Sequence, residues 1–269
     1  MYERILVPLD GAKHSEEILP HAAGLARVHG TALTLMRVAE KENEKSEAET
    51  YAKSLAERFS AQSLCVVGRG DVADVIVEEA RRVPRTLVAM TSHGRSGLME
   101  VMLGSVALRV VRSAGAPVLV YRPSGADGKG SAPVKVTRIV LPLDGTPISE
   151  AMAAPAAEMA KWLDAELLVV SVLDPSARVD AGIPASDVME SSYVHAKASE
   201  FGAKYGVRIS WEVLRGEPAE AITQFISGHK DVIVAMTTRG RRAMESAFLG
   251  SVTAACLRKA GVPVLVRMP

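Results

Sequence analysis

The chain has 269 residues, enough for two medium domains, and its 48% apolar and 23% charged residues are ordinary for a globular protein. A net charge of +1 gives no electrostatic pull toward nucleic acid or an anionic membrane, and 4% aromatics make no base-stacking platform. No apolar run approaches the roughly 20 residues that a membrane-spanning helix needs; the N-terminus opens directly on a strand pattern without a signal-peptide pattern, and cytoplasm is the expected compartment.

Residues 4–9 form a continuous apolar run, as expected for a strand covered on both faces. Residues 15–29 have helical spacing, with Ile18, Ala22, Leu25 and Ala26 along one side and Gly30 just past the end. Residues 32–38 read as the second strand and 42–62 as a long, charged, amphipathic surface helix. Strand three is expected at 63–68, a helix at 71–82 after Gly70, strand four at 86–91, a helix at 105–114 and strand five at 117–122. Gly115 and Pro117 punctuate the end of that last helix, as Gly261 and Pro263 do further on. Strand and helix alternating over short connections predict an α/β fold with a parallel, doubly wound sheet. Residues 123–133 (PSGADGKGSAP) are rich in Gly, Pro and Ser and read as a linker. Cys65 and Cys256 lack metal-ligand spacing and read as small buried hydrophobes in a reducing compartment.

The pattern then repeats. Residues 2–10 match 136–144 at an offset of 134, and residues 87–120 match 233–266 at an offset of 146. Val38 and Val172 still align at 134, whereas Gly70 and Gly216 align at 146, so the second copy carries 12 extra residues, placed around 174–187. The expected organisation is one domain at 1–122, a linker at 123–135 and a second domain at 136–269.

Ligands of doubly wound sheets bind outside the carboxyl ends of the strands. Three features converge there in each copy. The first strand ends in Pro8, Leu9, Asp10 and Gly11, and again in Pro142, Leu143, Asp144 and Gly145. Its carboxylate could hydrogen-bond ribose hydroxyls or help hold a metal on phosphates; the plain alternative is an Asp-Gly turn. The second strand ends near Val38 and Val172, where backbone groups could read an adenine edge. The fourth strand runs into a glycine-bearing loop that returns to Gly-Ser: Thr91, Gly94 and Arg95 lead to Gly104, Ser105 and Val106, and Thr237, Gly240 and Arg241 lead to Gly250, Ser251 and Val252. A helix N-terminus has unpaired amides and partial positive charge, so such a junction is a phosphate cradle. Ser105 and Ser251 are expected to cap these helices. A capped helix after an ordinary loop is the competing reading; the equal ten-residue spacing in both copies favours the ligand. His93 is replaced by Arg239 in the second copy, so it has no role common to both. No nucleophile–base pair, no Gly-x4-Gly-Lys-Ser/Thr and no Gly-x-Gly-x-x-Gly after strand one is present.

In combination and in duplicate, these motifs resemble the universal stress protein family: the chain looks like a tandem of two UspA-type domains. The closing Ala-Pro-Val-Leu-Val and Val-Pro-Val-Leu-Val strands belong to the same resemblance. It implies two five-stranded parallel sheets in the order 3-2-1-4-5, of the adenine-nucleotide alpha-hydrolase-like kind. It also implies pairing of the domains through strand five, residues 118–121 against 264–267, and a possible homodimer. ATP-binding members carry Gly-x2-Gly-x9-Gly-Ser/Thr. Here the second and third glycines are Gly94 and Gly104, or Gly240 and Gly250, and Thr91 and Thr237 replace the first. The resemblance thus implies an adenine nucleotide (ATP, ADP or AMP) with Mg2+ on its phosphates, and a role in stress response. Two alternatives stand beside it: a dimeric scaffold that binds no nucleotide and acts through protein partners, and a slow ATPase.

Overall fold

The computed structural model describes residues 2–68, 70–92, 103–122, 132–174, 187–238, 249–259 and 261–269. The chain divides into two compact units, Met1–Lys135 and Val136–Pro269.

In the first unit, β1 (Arg4–Leu9) leads through α1 (Lys13–Glu16) and α2 (Leu19–His29) to β2 (Ala32–Ala39). A 3-10 turn (Glu42–Glu44) and α3 (Lys45–Phe59) follow, then β3 (Gln62–Val67), α4 (Val72–Arg82), β4 (Thr86–Thr91), α5 (Ser105–Ser113) and β5 (Val118–Tyr121). All strands run parallel, in the order β3-β2-β1-β4-β5. The second unit comprises β6 (Arg138–Leu143), α6 (Pro147–Glu150), α7 (Ala153–Leu163), β7 (Glu166–Leu173), α8 (Asp187–Tyr205), β8 (Ile209–Arg215), α9 (Pro218–Ile226), β9 (Val232–Thr237), α10 (Ser251–Lys259) and β10 (Val264–Arg267). Its parallel order is β8-β7-β6-β9-β10. No helix among the described residues is long and apolar enough to cross a membrane.

The central strands are dry. Ile5, Leu6 and Val7 of β1 and Ile139 and Leu141 of β6 are fully buried, because helices cover both faces of a parallel sheet. The outer strands β3 and β8 are half-exposed instead, and Trp211 of β8 shows 41% of its surface. Cys65, on β3, is accordingly half-buried, a correction to its reading as a core residue. Cys256 is buried, and burial pushes its thiol up to about 12.

Two predicted helices differ in extent. The stretch 15–29 is two helices, because Pro20 occupies the second position of α2. A proline there has no amide to give the preceding turn, and its ring opposes continuing the helix from α1. The stretch 42–62 is a helix only to Phe59, where Ser60 turns left-handed at φ 53 and the chain enters β3.

Residues just before the second unit lie on the first. The Val134 amide donates to the Pro20 carbonyl at 3.0 Å. The Val134 carbonyl oxygen sits 1.8 Å from where a Cβ on Gly24 would stand, so this strap crosses α2 through a notch that only glycine leaves open. On the same helix, His21 is buried and its ring lies 4.9 Å from that of Tyr121.

Candidate functional site

The candidate residues lie at the carboxyl ends of the strands in each unit. The register sets Leu9 beside Arg37 and Leu143 beside Ser171, so β1 and β6 end next to the last residues of β2 and β7. Leu9 and Leu143 are both 4% exposed and anchor the strand ends, while Pro8 and Pro142 are half-buried.

Asp10 and Asp144 each build a turn. Asp10 Oδ1 accepts the Ala12 amide at 2.9 Å, and Asp144 Oδ1 accepts the amide (3.1 Å) and hydroxyl (2.6 Å) of Thr146. The following glycines adopt φ 88 and φ 79, left-handed values that permit this bend. The aspartate amides in turn donate to Ser15 Oγ at 3.4 Å and Ser149 Oγ at 3.3 Å. Ser15 and Ser149 are buried, and their hydroxyls donate to the Ala12 and Thr146 carbonyls. Sequence reasoning missed this pair as a site element, although the two serines recur at the 134-residue offset, five positions after each aspartate.

Beyond these turns stands a second repeated contact. Tyr51 of α3 donates to Glu16 at 3.2 Å, and Tyr193 of α8 donates to Glu150 at 3.1 Å. Both phenols are pushed up, first by burial and then by the glutamate charge. Lys197 adds an ion pair to Glu150 at 2.8 Å, and this hydrogen bond raises its pKa.

The fourth strands end at Thr91 and Thr237, both buried, followed by fully buried Ser92 and Thr238. The Gly104 amide donates to the Ser92 carbonyl at 2.7 Å, and the Gly250 amide to the Thr238 carbonyl at 2.7 Å. These bonds close both loops at their necks and commit the glycine amides. The next amides are different. The first bonds within the helices run from Leu108 to Gly104 and from Ala254 to Gly250. The amides of Ser105, Val106 and Ala107, and of Ser251, Val252 and Thr253, therefore precede any intrahelical acceptor. The residue capping α5 is Gly104, at φ −62 and ψ 160, and Ser105 is the first helical residue, exposed and making no capping bond. This corrects the expected cap: the loop closure places the glycine, not the serine, at the half-turn. In the second unit, Thr253 Oγ1 also donates to the Thr237 carbonyl at 2.9 Å.

Val38 is buried and Val172 half-buried. The Val38 carbonyl accepts Arg37 Nη1 at 2.5 Å, a contact sequence reasoning did not anticipate. Gly94, Arg95, Gly240, Arg241, His93, Arg239 and residues 175–186 of the extra segment lie outside the described residues. Among the described residues, no three His, Cys, Asp or Glu side chains converge to hold a metal. A cavity of about 290 Å³ opens at the opposite, amino end of β2 and β3, between Ala23, Arg27, Thr31, Phe59 and Gln62.

The universal stress protein family matches residues 1–63, 39–122 and 135–267. The chain is 34% identical over 138 residues to universal stress protein MJ0531 of Methanocaldococcus jannaschii, covering 48% of this chain and 80% of that protein. It is 31% identical over 186 residues to universal stress protein Rv2005c of Mycobacterium tuberculosis, covering 67% of this chain but only 61% of that protein's length. The crystal structure of a universal stress protein from Archaeoglobus fulgidus superposes with a TM-score of 0.67 at 18% identity, over 100% of this chain and 99% of that one, a likeness of fold. Two turns, two closed necks and two helix starts thus sit in a chain matched nearly end to end, and it belongs to the universal stress protein family.

Proposed function

We propose that the chain binds an adenine nucleotide through one or both halves and acts in stress response by nucleotide-dependent conformation and choice of partner. One observation carries this reading. At the end of the fourth strand of each half, a closed loop neck delivers three amides of a helix start toward the carboxyl edge of the sheet. That arrangement suits a phosphate, through both the amides and the helix dipole. Asp10 and Asp144 stand across the strand ends as carboxylates suited to ribose hydroxyls, and Mg2+ travels with the phosphates. In this reading the Ser105, Val106, Ser251 and Val252 amides hold the phosphate, and the backbone at Val38 or Val172 meets the base.

The test is thermal. ATP with Mg2+ at 100-fold over its dissociation constant raises stability by about 2.7 kcal/mol, seen as a higher melting temperature. An unchanged melting temperature at millimolar ATP removes the reading.

A second reading rests on Thr91 and Thr237, buried side chains standing where nucleotide-binding relatives are expected to carry glycine. In it the protein is a scaffold that works through protein partners. Purified protein without nucleotide absorbance, and function unchanged by Gly104→Val together with Gly250→Val, would select it.

A further inference from the structure

We infer that the two candidate sites are unequal: the second half is the tighter nucleotide site, and Arg37 is the residue that weakens the first. The inference rests on the proposed adenine-nucleotide binding and names which half performs it.

Backbone direction sets which way each strand-end carbonyl faces. In a parallel strand, successive carbonyls point to alternate neighbours. The Ala39 carbonyl accepts the Gly68 amide at 3.0 Å on the outer side, and the Leu173 carbonyl likewise accepts Gly216 at 3.0 Å. The carbonyls one residue earlier, Val38 and Val172, therefore face inward, past the ends of β1 and β6. There a bound base would offer its exocyclic amine, a donor that an inward carbonyl can accept.

The two halves treat this acceptor differently. In the first, Arg37 folds back and its Nη1 donates to the Val38 carbonyl at 2.5 Å. A guanidinium in front of the carbonyl uses a lone pair and sets a positive charge where a base would present its own donor. Val38 is also only 4% exposed, with Cγ1 2.9 Å from where a Gly68 Cβ would stand. In the second half, the position of Arg37 is Ser171. Its hydroxyl is too short to reach around the backbone and donates instead to Glu190 of α8. Val172 is half-buried and Asp144 exposed, whereas their counterparts Val38 and Asp10 are buried and half-buried. The second half thus leaves Val172 and Asp144, at the base end and the ribose end of the proposed site, more exposed than their counterparts.

Arg37 does not act as a phosphate ligand in this arrangement. It lies at the end of β2, on one side of β1, whereas the helix start that suits phosphate follows β4, on the other.

The experiment is calorimetric titration of the full chain with ATP and Mg2+, in wild type and four variants. Wild type is expected to show one tight site and one weaker. Gly250→Val removes the tight site, and Gly104→Val leaves it; Gly104 sits at φ −62, where valine is not strained. In the Gly250→Val background, Arg37→Ser tightens the remaining site about tenfold, the worth of one hydrogen bond no longer displaced. Ser171→Arg, tested alone, weakens the tight site by a similar factor. Two equal sites, loss of the tight site in Gly104→Val, or weaker binding in Arg37→Ser would overturn the inference while leaving nucleotide binding intact. No binding by wild type would overturn the proposed function, and the inference with it.

Discussion

The first strand of each half begins with an arginine, and the two arginines meet different fates. Arg4 is 8% exposed; its guanidinium pairs with the buried Glu79 at 2.8 Å and donates to Thr86 Oγ1 at 3.2 Å. The Arg138 side chain stays 40% exposed and pairs with Glu166, at the start of the neighbouring strand, at 2.9 Å. At the position of Glu79 the second half has Phe225. The same contrast recurs on the helix after the first strand: His21 and Gly24 in one half are Pro155 and Glu158 in the other. The backbone plan was duplicated, whereas the buried Arg4–Glu79 pair and the buried His21 beneath it were not. The halves share a frame and differ in what would destabilise each.

The sharpest way to break the comparison is at the buried ion. Glu79→Ala leaves Arg4 charged in the interior and is expected to cost about 3–5 kcal/mol. Glu166→Ala acts on a solvent-screened pair and should cost under about 1 kcal/mol. Urea denaturation followed by circular dichroism separates the two; similar losses would mean that Arg4 finds water or another partner.

Acid offers the next test. Burial lowers the His21 pKa from 6.5 to about 4, and its Nδ1 has no hydrogen-bond partner among the described residues. Between those values the unfolded chain binds a proton that the folded chain refuses. His21 therefore contributes fully above pH 6.5, and stability falls as pH drops toward 4, by about 3 kcal/mol over the whole window. Pro155 contributes nothing of the kind to the second half. His21→Phe should flatten the pH dependence of the urea midpoint in that interval, and an unaltered slope would assign it to other groups.

The smallest effect sharpens the comparison at the notch. Alanine is ordinarily better than glycine inside a helix by about 1 kcal/mol. At Gly24 the added methyl meets the Val134 backbone, so Gly24→Ala should instead destabilise by about 1–3 kcal/mol. Glu158→Ala, on the exposed face of α7, should change stability by less than about 1 kcal/mol. A stabilised Gly24→Ala would show that the strap lifts away at no cost.

Much of the frame was legible because its signals are local. The run at residues 4–9 is apolar at nearly every position, and β1 occupies those residues. Gly30 ends α2 in a left-handed turn as its place in the pattern suggests. The geometry of the candidate site was legible only in part. Asp10 and Asp144 were recognisable as strand-end carboxylates, but their turns are completed by serines five residues on, a tertiary closure that propensity does not report. The cap of α5 shifted by one residue because a bond from Gly104 to Ser92, across the loop, decides where the helix begins. Arg37 was invisible for a simpler reason: nothing in a strand pattern says that a long side chain will curl back onto the next carbonyl.

The strap over Gly24 changes where the chain can be cut. A first half severed after Arg122 would shed Val134 and leave a bare groove across α2, with the Pro20 carbonyl deprived of its donor. Severed after Lys135, it would keep its own fastening. The residues that join the halves are therefore not all tether; the last of them are the closing stitch of the first.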